Sequence, residues 1–245
     1  ILNLAREHGV KSVVKSKSMA SEEIHLNKYL AEAGIDVAET DLGERIIQLC
    51  GQRPSHMVMP AIHMTRGEVA GVLSQETKEN IPPDIPRLVK VARERLRQKF
   101  LTAEMGISGA NIAVAETGTL VIVTNEGNGR LTTTLPPLHV VIVGLEKLVA
   151  RFSDTAPILE ALPRSATAQR LTSYVTMLTG PARAMDAAGK PVEKQMHIVL
   201  LDNGRTEMRR DPVFKEALQC IRCASCLNVC PVFQLVGGHV YGYVY

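Results

Sequence analysis

Apolar positions recur along the chain with two periods, one helical and one extended. Residues 84–104, DIPRLVKVARERLRQKFLTAE, put Ile85, Leu88, Val89, Ala92, Leu96, Phe100 and Ala103 on one stripe and leave Arg93, Glu94, Arg97 and Lys99 in water. That spacing predicts an amphipathic helix. Upstream, Ser21 is a candidate cap with Glu22 and Glu23 in the first turn and Gly34 past the end, and Leu26, Tyr29, Leu30 and Ala33 form the apolar face. A strand is expected at Ile35–Ala38, then a helix with Leu42, Ile46, Leu49 and Cys50 inward. HMVMP (56–60) reads as a strand and GEVAGVLS (67–74) as a helix.

The densest extended signal is ANIAVAE followed by GTLVIVTN, two strands joined at Thr117-Gly118. HVVIVG (139–144) and MHIVLL (196–201) add two more, with LEKLVA and SATAQRLTSYVTMLTG read as helical between them. Strands separated by helices of this length predict an α/β layered domain with a largely parallel sheet and flanking helices. At 202–212, DNGRTEMRRDP, apolar content falls and Asn203-Gly204 signals a turn. The expected division is therefore an α/β domain at 1–203 and a smaller region at 204–245, entered through a short helix from Pro212 to Gln219.

Composition narrows the function. The 245 residues are 45% hydrophobic and 22% charged, the globular average. A net charge of +3 and an aromatic content of 4% argue against a nucleic-acid surface or an anionic membrane as partner. No apolar run approaches the ~20 residues that span a bilayer. The chain begins ILNLAREHGV, as if a helix were already under way, and is expected to be a fragment of a longer protein. Of five cysteines, Cys50 is remote and four are clustered, which predicts a metal centre in a reducing compartment, the cytoplasm, not a disulfide framework.

Cys220, Cys223, Cys226 and Cys230 follow C-x₂-C-x₂-C-x₃-C with Pro231 next. Thiolates are soft ligands, and this spacing matches a ferredoxin-type [4Fe–4S] half-motif, in which the fourth cysteine ligates the other cluster of a pair. Structural zinc prefers two C-x₂-C pairs separated by a longer loop, a poorer match. A second stretch, AETGTLVIVTNEGNGRL (115–131), exposes Glu116 at the Thr117-Gly118 turn and offers Asn125, Gly127, Asn128, Gly129 and Arg130 as a loop whose N–H groups suit an anion. The plainer reading is a tight connection in which glycine supplies positive φ. KSVVKSKSM (11–19), with three lysines and three serines, suits a phosphate but reads more simply as a solvated loop. His25, His56, His63, His139 and His197 read as structural histidines.

The segments KSKSMASEEIHLNKYLAEAGIDVAETDLGERIIQL, PSHMVMPAIH, GISGANIAVAETGTLVIVTNEGNGRLTTTLPPLHVVIVGLEKLV and CIRCASCLNVCPVFQLVGGHVYGYVY resemble, in order and over essentially the whole chain, the lactate-utilisation iron–sulfur protein B family with its LUD domain. The resemblance implies a NagB/RpiA/CoA-transferase-like α/β fold followed by the start of a small helical ferredoxin-like region. It further implies an electron carrier with two [4Fe–4S] clusters that works with two partner subunits in oxidising L-lactate to pyruvate. Cys220, Cys223 and Cys226 match the first-cluster ligands and Cys230 the lone early ligand of the second. The later cysteines are missing from these residues, so the first cluster would lack one thiolate and the second three. By analogy with the fold, a ligand site of CoA-ester or phosphosugar type would pair the Glu116-Thr117-Gly118 turn with the Asn125–Arg130 loop, with Glu116 as its acid–base group.

Overall fold

The computed structural model describes residues 1–185 and 188–241. Their strands are β1 (Ser12–Lys15), β2 (Asp36–Glu39), β3 (Met105–Gly109), β4 (Ile112–Val114), β5 (Thr119–Thr124), β6 (Leu138–Gly144), β7 (Leu148–Val149), β8 (Tyr174–Leu178), β9 (Ala184–Met185), β10 (Pro191–Val192) and β11 (Gln195–Leu201). The helices are α1 (Leu2–Glu7), α2 (Met19–Glu23), α3 (Leu26–Glu32), α4 (Leu42–Cys50), α5 (Arg66–Thr77), α6 (Ile85–Thr102), α7 (Asn128–Thr134), α8 (Thr155–Thr167), α9 (Arg205–Arg210), α10 (Ser225–Val229) and α11 (Pro231–Val236).

Five strands form one sheet in the order β11-β6-β3-β1-β2, and every pairing is parallel. This is the largely parallel α/β sheet with flanking helices that the alternation of elements predicts. A parallel sheet is covered on both faces, so its inner strands read as unbroken apolar runs; β6 is buried along its whole length. On one face α1 to α3 bury Ala5, Leu26 and Leu30 against Val13, Met105, Ile107 and Val140. On the other, α6 lays Leu96 and Phe100 over Val14 and Ala38. A second sheet, ordered β7-β4-β5-β8, covers Val141 and Val143 with Ala113 and Leu120. Gly106 lets α7 approach β3 directly, because a Cβ there would stand 2.0 Å from the Thr132 carbonyl oxygen.

Several local expectations change. The most polar one is the largest correction: KSVVKSKSM is not a solvated loop, since its residues 12–15 form β1 between β3 and β2. Residues 56–60 make a turn and no strand, because the His56 ring accepts at Nδ1 from the N–H groups of Val58 and Met59, both at 3.1 Å. Helix α8 stops at Ala168, which is left-handed (φ 58°), and the β-branched stretch beyond it becomes β8, paired antiparallel with β5. LEKLVA is a 3₁₀ turn followed by β7. The stripe of α6 is rotated, burying Val91 and leaving Ile85 and Val89 exposed, and Tyr29 is exposed as well. Cys50 is half-buried near Met64, away from the core. The 202–212 stretch holds α9, which begins with the buried Arg205.

Candidate functional site

A cleft of about 450 Å³ opens at the carboxyl ends of the parallel strands. Ligand sites of open α/β sheets lie at this edge, where the loops after successive strands converge. Ser16, Lys17 and Ser18 enter it after β1, Asp41 after β2, Asn111 after β3, and Glu146 and Lys147 after β6. The far wall comes from the end of β5, the start of α7 and the C-terminal turn of α8.

Charge divides the cleft into two ends. At one end, Lys17 Nζ donates to the Val58 carbonyl at 2.8 Å and stands 3.9 Å from the Glu44 carboxylate. Burial pushes the Lys17 pKa down despite Asp41, Glu44 and Glu126 nearby. Burial, and then Asp41, push Glu126 up. Glu44 is raised to about 7, chiefly by burial, against the pull of Lys17 and with Glu39 and Glu22 adding to the rise. The sign of the linkage follows. A carboxyl with a higher pKa folded than unfolded binds its proton more tightly in the native state, so its contribution to stability falls as pH rises from 4.5 to about 7 and stays lost above. Glu44→Gln should remove that dependence. The variant should gain on the parent by up to about 3 kcal/mol across this window, measured as the difference between urea unfolding curves at pH 4.5 and 8.

At the other end Arg205 is the organising group. Its guanidinium forks onto Glu23 at 2.7 and 3.0 Å and also binds Glu146. Burial would raise the Glu146 pKa, but the Arg205 hydrogen bonds overcome it and hold the carboxyl below the usual range. Glu146 folds back over Gly144, where an added Cβ would stand 2.1 Å from the carboxylate.

The cysteine segment is seated beside this end. Lys147 Nζ donates to the Cys220 carbonyl at 3.3 Å, and Arg222 lines the cleft with its guanidinium 4.0 Å from Glu146. Ala224 is buried, and Ser225 Oγ donates to the Ser165 carbonyl at 2.6 Å. Because His56 Nδ1 accepts two backbone N–H groups, its proton is on Nε2, which donates to Asn228 Oδ1 at 3.3 Å. The Phe233 ring meets His56 edge-on at 5.7 Å.

Cys220 and Cys226 are exposed, and Cys223 and Cys230 are half-buried. Backbone N–H groups of Arg222 and Phe233 point at the sulfurs of Cys220 (3.4 Å) and Cys230 (3.5 Å). Among the described residues no three His, Cys, Asp or Glu side chains are gathered around one metal position. The donor set nonetheless suits an iron–sulfur cluster: it is all thiol, and N–H···S bonds are the second-sphere contacts that such clusters use.

The second sequence-predicted constellation is divided. Asn125 and Asn128 line the cleft, Asn125 tying β5 to Gln169 (2.7 Å) and Ser173 (3.0 Å). Gly127 and Gly129 have ordinary φ and start α7, and Arg130 lies 5.0 Å over the Tyr174 ring. Gly118 does take the positive φ of a tight turn (66°). Glu116, Thr117 and Gly118 precede β5, whereas the cleft is at its other end, roughly 17 Å away at ~3.4 Å per residue. The Glu116 carboxylate accepts from the Phe152 N–H at 2.8 Å. Sequence reasoning missed Lys17, Glu44, Glu146, Arg205 and Arg222. KSVVKSKSM was the signal available for the first; the other four lie in four separate segments, and of these only Arg222, between Cys220 and Cys223, falls inside a motif.

The LUD domain family matches residues 1–201. The chain belongs to that family. The LUD chain is 46% identical to lactate utilization protein B of Bacillus velezensis, 45% to that of Bacillus subtilis and 44% to an uncharacterized electron transport protein, YkgF, of Escherichia coli. Each alignment covers 100% of this chain and 50–51% of the relative, so the chain spans about half the length of these proteins. Among solved structures, a DUF162 family protein from Deinococcus radiodurans matches 82% of this chain and 93% of its own at 14% identity, with a TM-score of 0.32. Among the described residues no helix is long and apolar enough to cross a membrane.

Proposed function

We propose that this LUD chain belongs to an iron–sulfur electron-transfer subunit that works in the cytoplasm with two partner subunits in the oxidation of L-lactate to pyruvate. The observation that carries this reading is the C-x₂-C-x₂-C-x₃-C-P segment seated at the carboxyl edge of the LUD sheet, with N–H groups directed at two of its sulfurs. The relatives named for lactate utilization and electron transport support it. Cys220, Cys223 and Cys226 would hold a first [4Fe–4S] cluster and Cys230 would reach a second, the remaining thiolates coming from residues outside 1–245. The clusters would supply one-electron chemistry when bound. The chain's own residues hold the thiols: Lys147 fixes the Cys220 carbonyl and His56 fixes α10 through Asn228.

Iron and acid-labile sulfide per chain, after anaerobic reconstitution, test this. A chain extended to the length of its relatives should hold about eight irons, and residues 1–245 few or none. Four stable irons in residues 1–245 would mean that Cys230 closes a single cluster, and the two-cluster reading would fall.

A further inference from the structure

We propose that the cleft is a binding site for an organic acid, whose anionic group sits between Lys147 and Arg222, and that occupancy of this site and loading of the cysteines favour one another. The second half of this proposal rests on the iron–sulfur reading; the first half does not.

The argument starts from the charge at the cysteine end. Three cations, Arg205, Arg222 and Lys147, face two carboxylates, Glu23 and Glu146. Arg205 engages both carboxylates by direct hydrogen bonds. Arg222 reaches Glu146 only at 4.0 Å, beyond a hydrogen bond, and Lys147 is held by a neutral carbonyl. One positive charge is therefore in excess, and it is carried by the two groups that border the cleft beside Cys220. The opposite end carries Asp41 and Glu126 with Lys17 between them, so a second anion is disfavoured there. Away from the cysteine end, Met19, Met57, Met59 and Leu162 supply apolar wall, Met57 and Met59 flanking the Val58 carbonyl that holds Lys17. A ligand that satisfies all three zones has one anionic head and an aliphatic body with no second negative charge. At about 450 Å³ the cleft has room for a body longer than three carbons.

The coupling follows from where Arg222 sits. It lies between two thiols, its backbone is left-handed (φ 62°), and Ala224 just beyond Cys223 is left-handed as well (φ 65°). Its side chain cannot be placed in the cleft without placing the loop that carries Cys220 and Cys223. A group that fixes the thiols fixes the anion subsite, and an anion in the subsite fixes the thiols. By linkage the two effects are equal in magnitude.

Titration calorimetry on the metal-free chain with hexanoate, L-lactate and inorganic phosphate tests the site. Hexanoate should bind tightest, L-lactate more weakly and phosphate weakest. Arg222→Gln and Lys147→Gln should each weaken hexanoate roughly tenfold, the usual scale of a lost charge-assisted contact, while Lys90→Gln on the exposed face of α6 should leave it unchanged. Wild-type affinity in both cleft variants overturns the site, as does the absence of binding by either acid. Phosphate binding as tightly as hexanoate overturns the organic-acid class. For the coupling, anaerobic reconstitution of the chain extended to the length of its relatives, at limiting iron and with saturating hexanoate, should raise retained iron and visible absorption several-fold over reconstitution without it, and Arg222→Gln should abolish the difference. Equal iron with and without hexanoate overturns the coupling. A chain that binds hexanoate but takes up no iron at any length overturns the carrier reading and the coupling together, and leaves the cleft assigned.

Discussion

Lys15→Met should cost roughly 3–5 kcal/mol of folding stability, the scale seen when one partner of a buried ion pair is removed. Lys15 is fully buried at the end of β1, and its ammonium has three partners: Ser21 Oγ at 2.9 Å, Glu22 at 2.8 Å and Glu39 at 2.8 Å. Burial alone would lower its pKa, but Glu39 and Glu22 outweigh burial and hold it above its ordinary value. Glu39 is also buried, and burial pushes its own pKa up. Methionine fills the space and leaves Glu39 as an uncompensated carboxylate, which will take up a proton instead. That fixes the pH dependence. In the variant Glu39 binds its proton more tightly when folded, so the loss should grow as pH rises and be smaller at pH 5 than at pH 8. Lys15→Met with Glu39→Gln should recover at least half the loss, since the amide can still accept from Asn27. Urea unfolding at both pH values measures all of this. A single-variant cost below 1 kcal/mol would show that the pair contributes little.

Arg205→Gln should be nearly as damaging, at about 2–4 kcal/mol, because one guanidinium neutralises two carboxylates in a largely buried setting. Its second effect is local. Glu146, released from Arg205, keeps only Arg222 at 4.0 Å and is left largely uncompensated. The stability loss is read from chemical unfolding, and the uncompensated charge from the stability that returns when Glu146→Gln is added. If the double variant is no more stable than Arg205→Gln alone, Arg205 acts by packing and not by charge.

The strands β5 and β6 and the helix α6 were legible in the sequence because their burial is written as uninterrupted apolar runs or a single stripe, whereas β3, MGISG, carries no such run and does not read as a strand. Strand β1 was not, since Ser12, Lys15 and the lysines and serines beside it read as surface. Its polar side chains are internal only because Glu22 and Glu39, from other elements, are there to receive them. The 56–60 turn was hidden for a similar reason: a side-chain nitrogen of His56 replaces the partner strand that the apolar pattern predicts. The thiol spacing is a local signal and was read directly. The cleft is non-local, assembled from the ends of four parallel strands and from Arg205 and Arg222, and pairwise contacts of that kind leave no periodicity.

Parallel pairing also orders events as the chain is made. Residues 13–15 pair with 105–107, so β1 leaves the ribosome long before its central partner exists, and a parallel sheet with such distant pairings forms slowly. Until β3 arrives, Val13 and the Lys15 ion pair have only β2 and the first helices for cover, which makes the nascent N-terminal third a natural client for a chaperone. The thiols are synthesised after every surface that seats them, from His56 to Ser165. On the proposed iron–sulfur reading, iron delivery would therefore meet a folded receptor, and a fault in early sheet assembly would register in the cell as a shortage of clusters.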